Sequence, residues 1–181
     1  MADFGLAKLL GREYSKVLTT MRGTRGYLAP EWLSGLPITV KADVYSFGMT
    51  LLEIIAGRRN MDGDSESSEM FFPAWAATQI SCGNAMEVLD KKLMDVNDEE
   101  AEQVKRAAIV GGWCIQDDED ERPTMSQALQ ILEGVVDAPS FPPLPLSLQT
   151  FALKASSLVF FWEKDPSVHA RNDSDYPSTP L

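Results

Sequence analysis

The chain has 181 residues, of which 44% are apolar, and its 27 acidic and 16 basic side chains give a formal charge of -11. This length and apolar content are typical of one globular domain. The negative charge repels phosphate backbones and anionic lipid surfaces, so we expect no nucleic-acid partner.

Cysteine and histidine usage argues against a metal site or a disulfide framework. Cys82 and Cys114 form no CxxC pair, and His169 is the one histidine of the sequence, so no Cys/His site can be assembled. We predict reduced thiols in a cytosolic setting. The longest apolar run, near Leu158 to Trp162, is too short for a transmembrane segment, and the first residues do not resemble a signal peptide.

The first predicted element is a long loop. From Ala2 to about Pro37 the chain is rich in Gly, Thr and Arg, and its glycines break any periodicity. We predict an ordered loop with one short helix at Pro30 to Ser34. Loops of this length are usually functional.

The next stretch, "ITVKADVYSFGMTLLEIIAGRRN", predicts a helix that is apolar on nearly all sides and is therefore buried on all sides. Thr39 can cap its start, and Gly57 with two following arginines supplies a stop. We expect this helix to be central to the fold. The acidic stretch "NMDGDSESSE" that follows predicts a solvated loop.

Further helices are predicted in order along the chain. "MFFPAWAATQIS" and "NAMEVLD" predict two short helices separated by Gly83, the second capped by Asn84. "DEEAEQVKRAAIVGGWCIQ" predicts a longer one, whose pair Gly111-Gly112 indicates either close helix contact or a local accident of sequence. "TMSQALQILEGVV" predicts a last helix that begins at a capping box of Thr124 and Gln127.

The character of the chain changes after Asp137. "APSFPPLPLSLQ" is proline-rich and "EKDPSVHARNDSDYPSTPL" is polar without periodicity, so we predict a linker and a disordered tail over 137–181. Between them, "TFALKASSLVFFWEK" indicates an amphipathic helix or a docking segment.

Ordered motifs now suggest a family. The sequence has Asp3-Phe4-Gly5, then Ala29-Pro30-Glu31, then "DVYSFG" from Asp43, then "ERPTM" around Arg122. In this order and spacing they resemble the second half of a plant receptor-like serine/threonine protein kinase domain. "GTRGYLAPEW", "LLEIIAGRRN" and "WCIQDDEDERPTM" resemble the S-domain (G-type lectin) receptor-like kinases most.

The resemblance implies a mainly α fold, the helical C-terminal lobe of the protein kinase fold. It covers about residues 2 to 150. We expect a partial kinase domain at 2–136, with an activation segment at 3–31 and helices over 32–136. The lobe would be incomplete, because the sequence shows neither the sheet of the N-terminal lobe nor a catalytic loop.

In the family, the aspartate of the DFG motif holds Mg²⁺ against the phosphates of ATP. The resemblance therefore assigns Asp3 as a metal ligand, with Phe4 packing beneath it and Gly5 allowing the turn of the loop. The alternative is that Asp3 is an ordinary exposed acid near the end of the chain.

Hydroxyl groups of the activation segment are candidate phosphorylation sites. The resemblance favours Thr19 and Thr20 as phosphoacceptors, and Thr24 matches the threonine of the substrate platform. Ordinary loop polarity explains any one of these hydroxyls equally well.

Other residues have implied structural roles. The family buries a salt bridge between the glutamate of Ala29-Pro30-Glu31 and the arginine that corresponds to Arg122, which ties the activation segment to the last helices. Asp43 would accept hydrogen bonds from the catalytic loop, or it simply caps its helix.

The sequence contains no G-x-G-x-x-G and no H-R-D-x-x-x-x-N. We therefore predict no catalytic residue in this chain, no binding of ATP and Mg²⁺ by the chain alone, and no activity of its own. The hypotheses are a fragment of an ATP-dependent serine/threonine kinase, a non-catalytic kinase-like module that docks on kinases or substrates, or a non-functional truncated product.

Removing the rest of a kinase domain would expose one side of the central helix, at a cost of several kcal/mol for a few hundred Å² at about 25 cal/mol per Å². We therefore predict marginal folding, self-association or rescue by a protein partner. The implied location is the cytoplasm, on the inner side of the plasma membrane for the parent family.

Overall fold

A computed structural model describes residues 24, 26–34, 37–61, 71–93 and 95–153, the last four of these as backbone only. The described residues form helices joined by loops and turns, which confirms the predicted helical fold. Two short 3₁₀ turns, Ala85–Val88 and Lys91–Leu93, separate the third and fourth helices. The helices are α1 (Glu31–Ser34), α2 (Lys41–Ala56), α3 (Phe72–Ser81), α4 (Asp98–Cys114), α5 (Met125–Leu132) and α6 (Leu146–Leu153).

Helix α2 lies at the centre, as predicted, and packs mainly on α4. One long side of α2 is buried, and its members are Ala42, Val44, Tyr45, Gly48, Met49, Leu52 and Ile55. The opposite side is less covered, since Ile54 is 69% exposed. The helix is therefore not buried on all sides among these residues.

Glycines set the distance between α2 and α4. A Cβ added at Gly48 would lie 2.5 Å from the Cβ of Cys114, and one added at Gly111 would lie 2.9 Å from Cδ2 of Leu52. A Cβ at Gly112 would lie 2.6 Å from Cγ of Pro142. Of the two readings of Gly111-Gly112, the structure therefore supports close contact, which offsets the roughly 1 kcal/mol per residue that glycine costs in a helix.

The helix ends follow the local sequence in most cases. Helix α2 stops at Gly57, whose φ of 62° suits glycine, and α5 starts at the predicted capping box of Thr124 and Gln127. At the start of α2 the N-cap position is held by Val40, whose side chain makes no capping bond, and the predicted cap Thr39 lies one residue earlier, where its hydroxyl accepts the Lys41 N–H at 3.1 Å. The prediction for Asn84 is wrong, because its side chain makes no capping bond and the turn it precedes is 3₁₀ rather than α.

The proline-rich segment after Asp137 is not a free linker where the structure describes it. Pro142 and Pro145 are buried, and Leu148 of α6 is 2% exposed. Proline has no backbone N–H, so burying it costs little free energy when the carbonyl groups of the segment accept hydrogen bonds. The predicted domain boundary near residue 136 stays a prediction, and most of the predicted tail lies outside the described residues.

Candidate functional site

A buried arginine joins the loop between α4 and α5 to α1. Arg122 is 1% exposed, and Glu31 at the start of α1 is 7% exposed. Nη1 of Arg122 donates to Oε1 of Glu31 at 2.7 Å, and Nη2 donates to Oε2 at 2.8 Å. This is the bidentate geometry that a guanidinium and a carboxylate favour. The ion pair that the resemblance implies is thus present.

Backbone carbonyls take up the other N–H groups of Arg122. Its Nε donates to the Gln116 carbonyl at 2.7 Å, Nη1 to that of Lys41 at 3.0 Å, and Nη2 to that of Asp117 at 3.2 Å. A guanidinium has five N–H donors, and here each has an acceptor. A buried charge with every donor satisfied is held in one position, so the arginine fixes three segments of the chain together.

An aromatic ring completes the surroundings of this arginine. Cζ of Arg122 lies 5.0 Å from the centroid of the Tyr45 ring, within the range of a cation–π contact. Burial raises the pKa of the Tyr45 hydroxyl well above its ordinary value, and the charge of Asp117 adds to that effect.

Polar contacts also tie the start of α2 to the same loop. Nζ of Lys41 donates to the carbonyls of Glu119, at 3.0 Å, and of Arg122. The Thr39 hydroxyl donates to a carboxylate oxygen of Glu119 at 2.8 Å. The acidic run Asp117 to Glu121 therefore has protein partners at several positions. The described residues contain no group of three or more His, Cys, Asp or Glu that could hold a metal ion.

A second network holds the residues just before α1. The Tyr27 hydroxyl donates to Oε2 of Glu53 at 2.6 Å, and Oε1 of Glu53 accepts the Asn60 N–H at 2.5 Å. The Ser46 hydroxyl donates to the Tyr27 carbonyl at 2.8 Å. Burial raises the pKa of Tyr27 to about 12, with a further contribution from its hydrogen bond to Glu53.

Asn60, 3% exposed, fills the space behind this network. Its Nδ2 donates to the carbonyls of Gly26 and Met49 at 3.4 Å each, and its Oδ1 has no hydrogen-bond partner among the described residues. Helix α2 thus holds the residues before α1 directly, through Glu53 and Ser46. It holds the start of α1 indirectly, because its Lys41 carbonyl accepts from the arginine that binds Glu31.

The remaining predicted site residues are distributed as follows. Ala29 is fully buried, Pro30 begins the turn into α1, and Thr24 is exposed with its carbonyl accepting the Tyr27 N–H at 3.2 Å. Asp43 is exposed in the first turn of α2, and within the described part of the chain its carboxylate accepts no hydrogen bond. The predicted sites Asp3, Phe4, Gly5, Thr19 and Thr20 lie outside the described residues.

The sequence analysis did not predict the partner of Tyr27, and for Arg122 it predicted Glu31 but none of the other partners. One signal was available, because Glu53 is a charged residue inside the apolar run "LLEIIAG", where a carboxylate needs a partner. Gln116 and Asp117 gave no such signal, since they precede or belong to an acidic run that is typical of a solvated loop.

A helical lobe whose Ala29-Pro30-Glu31 segment is fixed to a buried arginine agrees with the kinase fold that the motifs imply. The family model of the protein kinase domain matches residues 1–132, and the chain belongs to this family. Protein kinases use ATP with Mg²⁺. Asp3, the residue that the motif assigns to the metal, lies outside the described residues.

The chain is similar to G-type lectin S-receptor-like serine/threonine-protein kinases of Arabidopsis thaliana. Three of them are 52%, 50% and 54% identical to it, over 84%, 82% and 82% of this chain. The matched regions are 18%, 17% and 19% of those relatives. The chain therefore spans less than a fifth of the length of these relatives. No helix in the described residues is long and apolar enough to span a membrane.

Proposed function

We propose that this chain forms the helical C-terminal part of the catalytic domain of a receptor-like serine/threonine kinase. The bidentate contact between Glu31 and Arg122 carries the proposal, because it fixes the Ala29-Pro30-Glu31 segment to the loop between α4 and α5, as the resemblance to a kinase implies. In the whole protein the reaction would be transfer of the γ-phosphoryl group of ATP to a serine or threonine hydroxyl of a protein substrate. The location would be the cytoplasmic side of the plasma membrane.

The site residues before the described part take their proposed roles from the motif match. Asp3 would bind Mg²⁺, with Phe4 and Gly5 shaping the loop that carries it. Thr19 and Thr20 would accept phosphoryl groups in regulation. Thr24, which is exposed next to the Tyr27 turn, would face the substrate.

The chain by itself is proposed to be inactive, because its sequence contains no glycine-rich phosphate loop and no H-R-D motif. A thermal unfolding series of residues 1–181 with increasing Mg-ATP tests this. We expect no shift of the transition and no phosphate transfer to a generic substrate. A ligand at about 100 times its Kd would stabilise the fold by roughly 2.7 kcal/mol, so a saturable upward shift would contradict the proposal.

A chimera tests the assignment to a kinase catalytic domain. Residues 1–150 replace the matching region of a full-length relative, and phosphate transfer is measured. We expect activity, and loss of activity in the same chimera with Asp3→Ala. An inactive chimera that folds and binds Mg-ATP would argue against the assignment, and an active Asp3→Ala chimera would argue against the role of Asp3.

A second candidate function is a non-catalytic module that docks on kinases or their substrates. It is supported by one face of α2, where Ile54 is 69% exposed and Phe47 and Leu51 are half-buried. An exposed apolar face of this kind favours association, either with a partner or with a second copy.

Sedimentation velocity over a range of concentrations tests this second candidate. We expect association of the 181-residue chain, and weaker association for Ile54→Glu. The control is Val135→Glu, which changes a residue that is 72% exposed outside this face. A monomer at every concentration, or an equal effect of the two variants, would leave the third hypothesis of a non-functional product favoured over a docking module.

A further inference from the structure

The proline-rich segment and the buried arginine are held by the same two residues. Residues 138–149, named the C-terminal clasp here, lie beyond the region that matches the kinase family model, which ends at residue 132. The clasp nevertheless packs on the helical lobe, with α6 against α3. Three hydrogen bonds from α4 and the loop after it hold its backbone, as follows.

Gln116 contacts both Arg122 and the C-terminal clasp. Its carbonyl accepts from Nε of Arg122 at 2.7 Å, and its side-chain Nε2 donates to the Pro143 carbonyl at 3.1 Å. The same Nε2 donates to the Gly112 carbonyl at 2.8 Å, and the residue is 2% exposed. Its backbone therefore positions the arginine while its side chain positions the clasp.

Asp117 repeats this division of roles. Its carbonyl accepts from Nη2 of Arg122 at 3.2 Å. Its Oδ2 accepts the Ser147 N–H at 2.8 Å, and its Oδ1 accepts the Ser147 hydroxyl. A carboxylate at the first turn of α6 also suits the positive end of that helix.

A third bond fixes the start of the clasp. Nε1 of Trp113 donates to the Ser140 carbonyl at 2.9 Å, and Pro142 lies against Gly112. The hydrogen bonds between the clasp and the rest of the lobe thus come from Trp113, Gln116 and Asp117, and the last two of these also accept from Arg122.

We propose that docking of the clasp is energetically coupled to the Glu31–Arg122 pair, with Gln116 and Asp117 as the positioning residues. The carbonyl and side chain of each residue share one Cα, so a backbone rotation that releases the clasp also moves an acceptor of Arg122. Arg122 in turn holds Glu31 and the segment 26–34. Release of the clasp therefore loosens segment 26–34, whose Glu31 lies 91 positions before Arg122, and this is a regulatory connection within the lobe.

Hydrogen exchange of the full 181-residue chain tests the coupling, and it does not depend on catalytic activity or on the proposed function. The variants are Asp117→Ala and Ser147→Ala, which open the clasp. The matched control is Ser140→Ala, a serine of the same segment that contacts Trp113 through its carbonyl alone. For Asp117→Ala we expect faster exchange at 146–149 and a roughly 5-fold or larger rise of the exchange rate at 26–34. For Ser147→Ala we expect a smaller rise of the exchange rate in both regions. The control should change neither rate.

Coupling is reciprocal, which distinguishes it from a local structural role. Glu31→Gln must then speed exchange at 146–149 as well as at 26–34. Faster exchange at 146–149 with no change at 26–34 in the clasp variants would overturn the proposal, as would a Glu31→Gln effect confined to 26–34. If Asp117→Ala also raises the exchange rate in the core of α4, the milder variant Ser147→Ala is used to test the proposal. An equal rise in α4 for both variants would mean general destabilisation of the fold and would overturn the proposal.

Discussion

Replacing Arg122 by alanine is expected to lower the free energy of unfolding by about 3–5 kcal/mol. The change removes all five hydrogen-bond donors of the guanidinium and leaves the Glu31 carboxylate buried at 7% exposure without its partner. The carbonyls of Gln116, Lys41 and Asp117 lose a donor at the same time. The stranded carboxylate dominates the cost, because burying an unpaired charge is far more expensive than losing a neutral hydrogen bond.

The magnitude can be bounded from both sides. Five charge-assisted hydrogen bonds at about 1.5–3 kcal/mol each would together equal the whole stability of a typical domain, which is about 5–15 kcal/mol. Most of that gain is cancelled by the desolvation of Arg122 and Glu31 on folding, so the net loss falls near the values measured for broken buried pairs. Urea unfolding followed by circular dichroism measures it, with the slope m kept equal between variants.

The double variant and a surface pair provide the controls. Removing Glu31 as well should recover about 0.5–3 kcal/mol relative to the sum of the single changes, because no charge is then left unpaired. Lys105→Ala breaks the pair of Lys105 and Glu102, which lie 3.7 Å apart with their side chains 43% and 56% exposed. That change should cost less than about 1 kcal/mol. A loss for Arg122→Ala as small as this surface value would refute the reasoning.

Three further predictions concern the packing and titration of single residues. Gly48→Ala should destabilise the fold by about 1–3 kcal/mol in urea unfolding, and by more than Gly111→Ala, because its new Cβ meets a Cβ at 2.5 Å rather than the flexible end of a leucine. The phenolate absorbance titration of the native protein, after subtraction of the titration of Tyr27→Phe, should show one transition near pH 12. The stability that neutral Tyr27 contributes is complete below pH 10 and is lost as the pH rises to about 12. A transition near pH 10 would contradict this prediction. A thiol reagent should label the exposed Cys82 in the native state and Cys114 only in urea, because burial raises the pKa of the Cys114 thiol to about 12; rapid labelling of both would contradict the described packing.

Local sequence signals predicted the helices and most of their ends. Apolar periodicity located α2, α4 and α5, and Gly57 and the Thr124 capping box set two of the boundaries. The start of α4 shows a signal that was overlooked. Asn97 and Glu100 form a capping box with two 3.0 Å bonds, and the spacing of an Asn and a Glu three residues apart was visible in the sequence.

Contacts between distant residues could not be predicted from local pattern. Glu31 and Arg122 are 91 positions apart, and only the resemblance to a kinase indicated that they pair. The packing of the clasp gave no local signal for the same reason. Its proline content is typical of a linker, but the donors that satisfy its carbonyls at Ser140 and Pro143 lie 27 positions earlier, in Trp113 and Gln116.

The acids of the run from Asp117 to Glu121 differ in their contacts, although the composition of the run is uniform. Five consecutive acids from Asp117 to Glu121 predict a solvated loop, and Asp118, Asp120 and Glu121 are indeed exposed or bonded only within the loop. Asp117 instead holds α6, and Glu119 accepts from Thr39 while its carbonyl accepts from Lys41. The backbone carbonyls of these two acids accept hydrogen bonds from Arg122 and Lys41, so each acid binds a cation through its backbone and a neighbouring hydroxyl through its carboxylate. A loop with neutral residues at the two positions would keep the hydrophobic contacts of the lobe but would lose the bonds that position α6 and the start of α2 around the arginine.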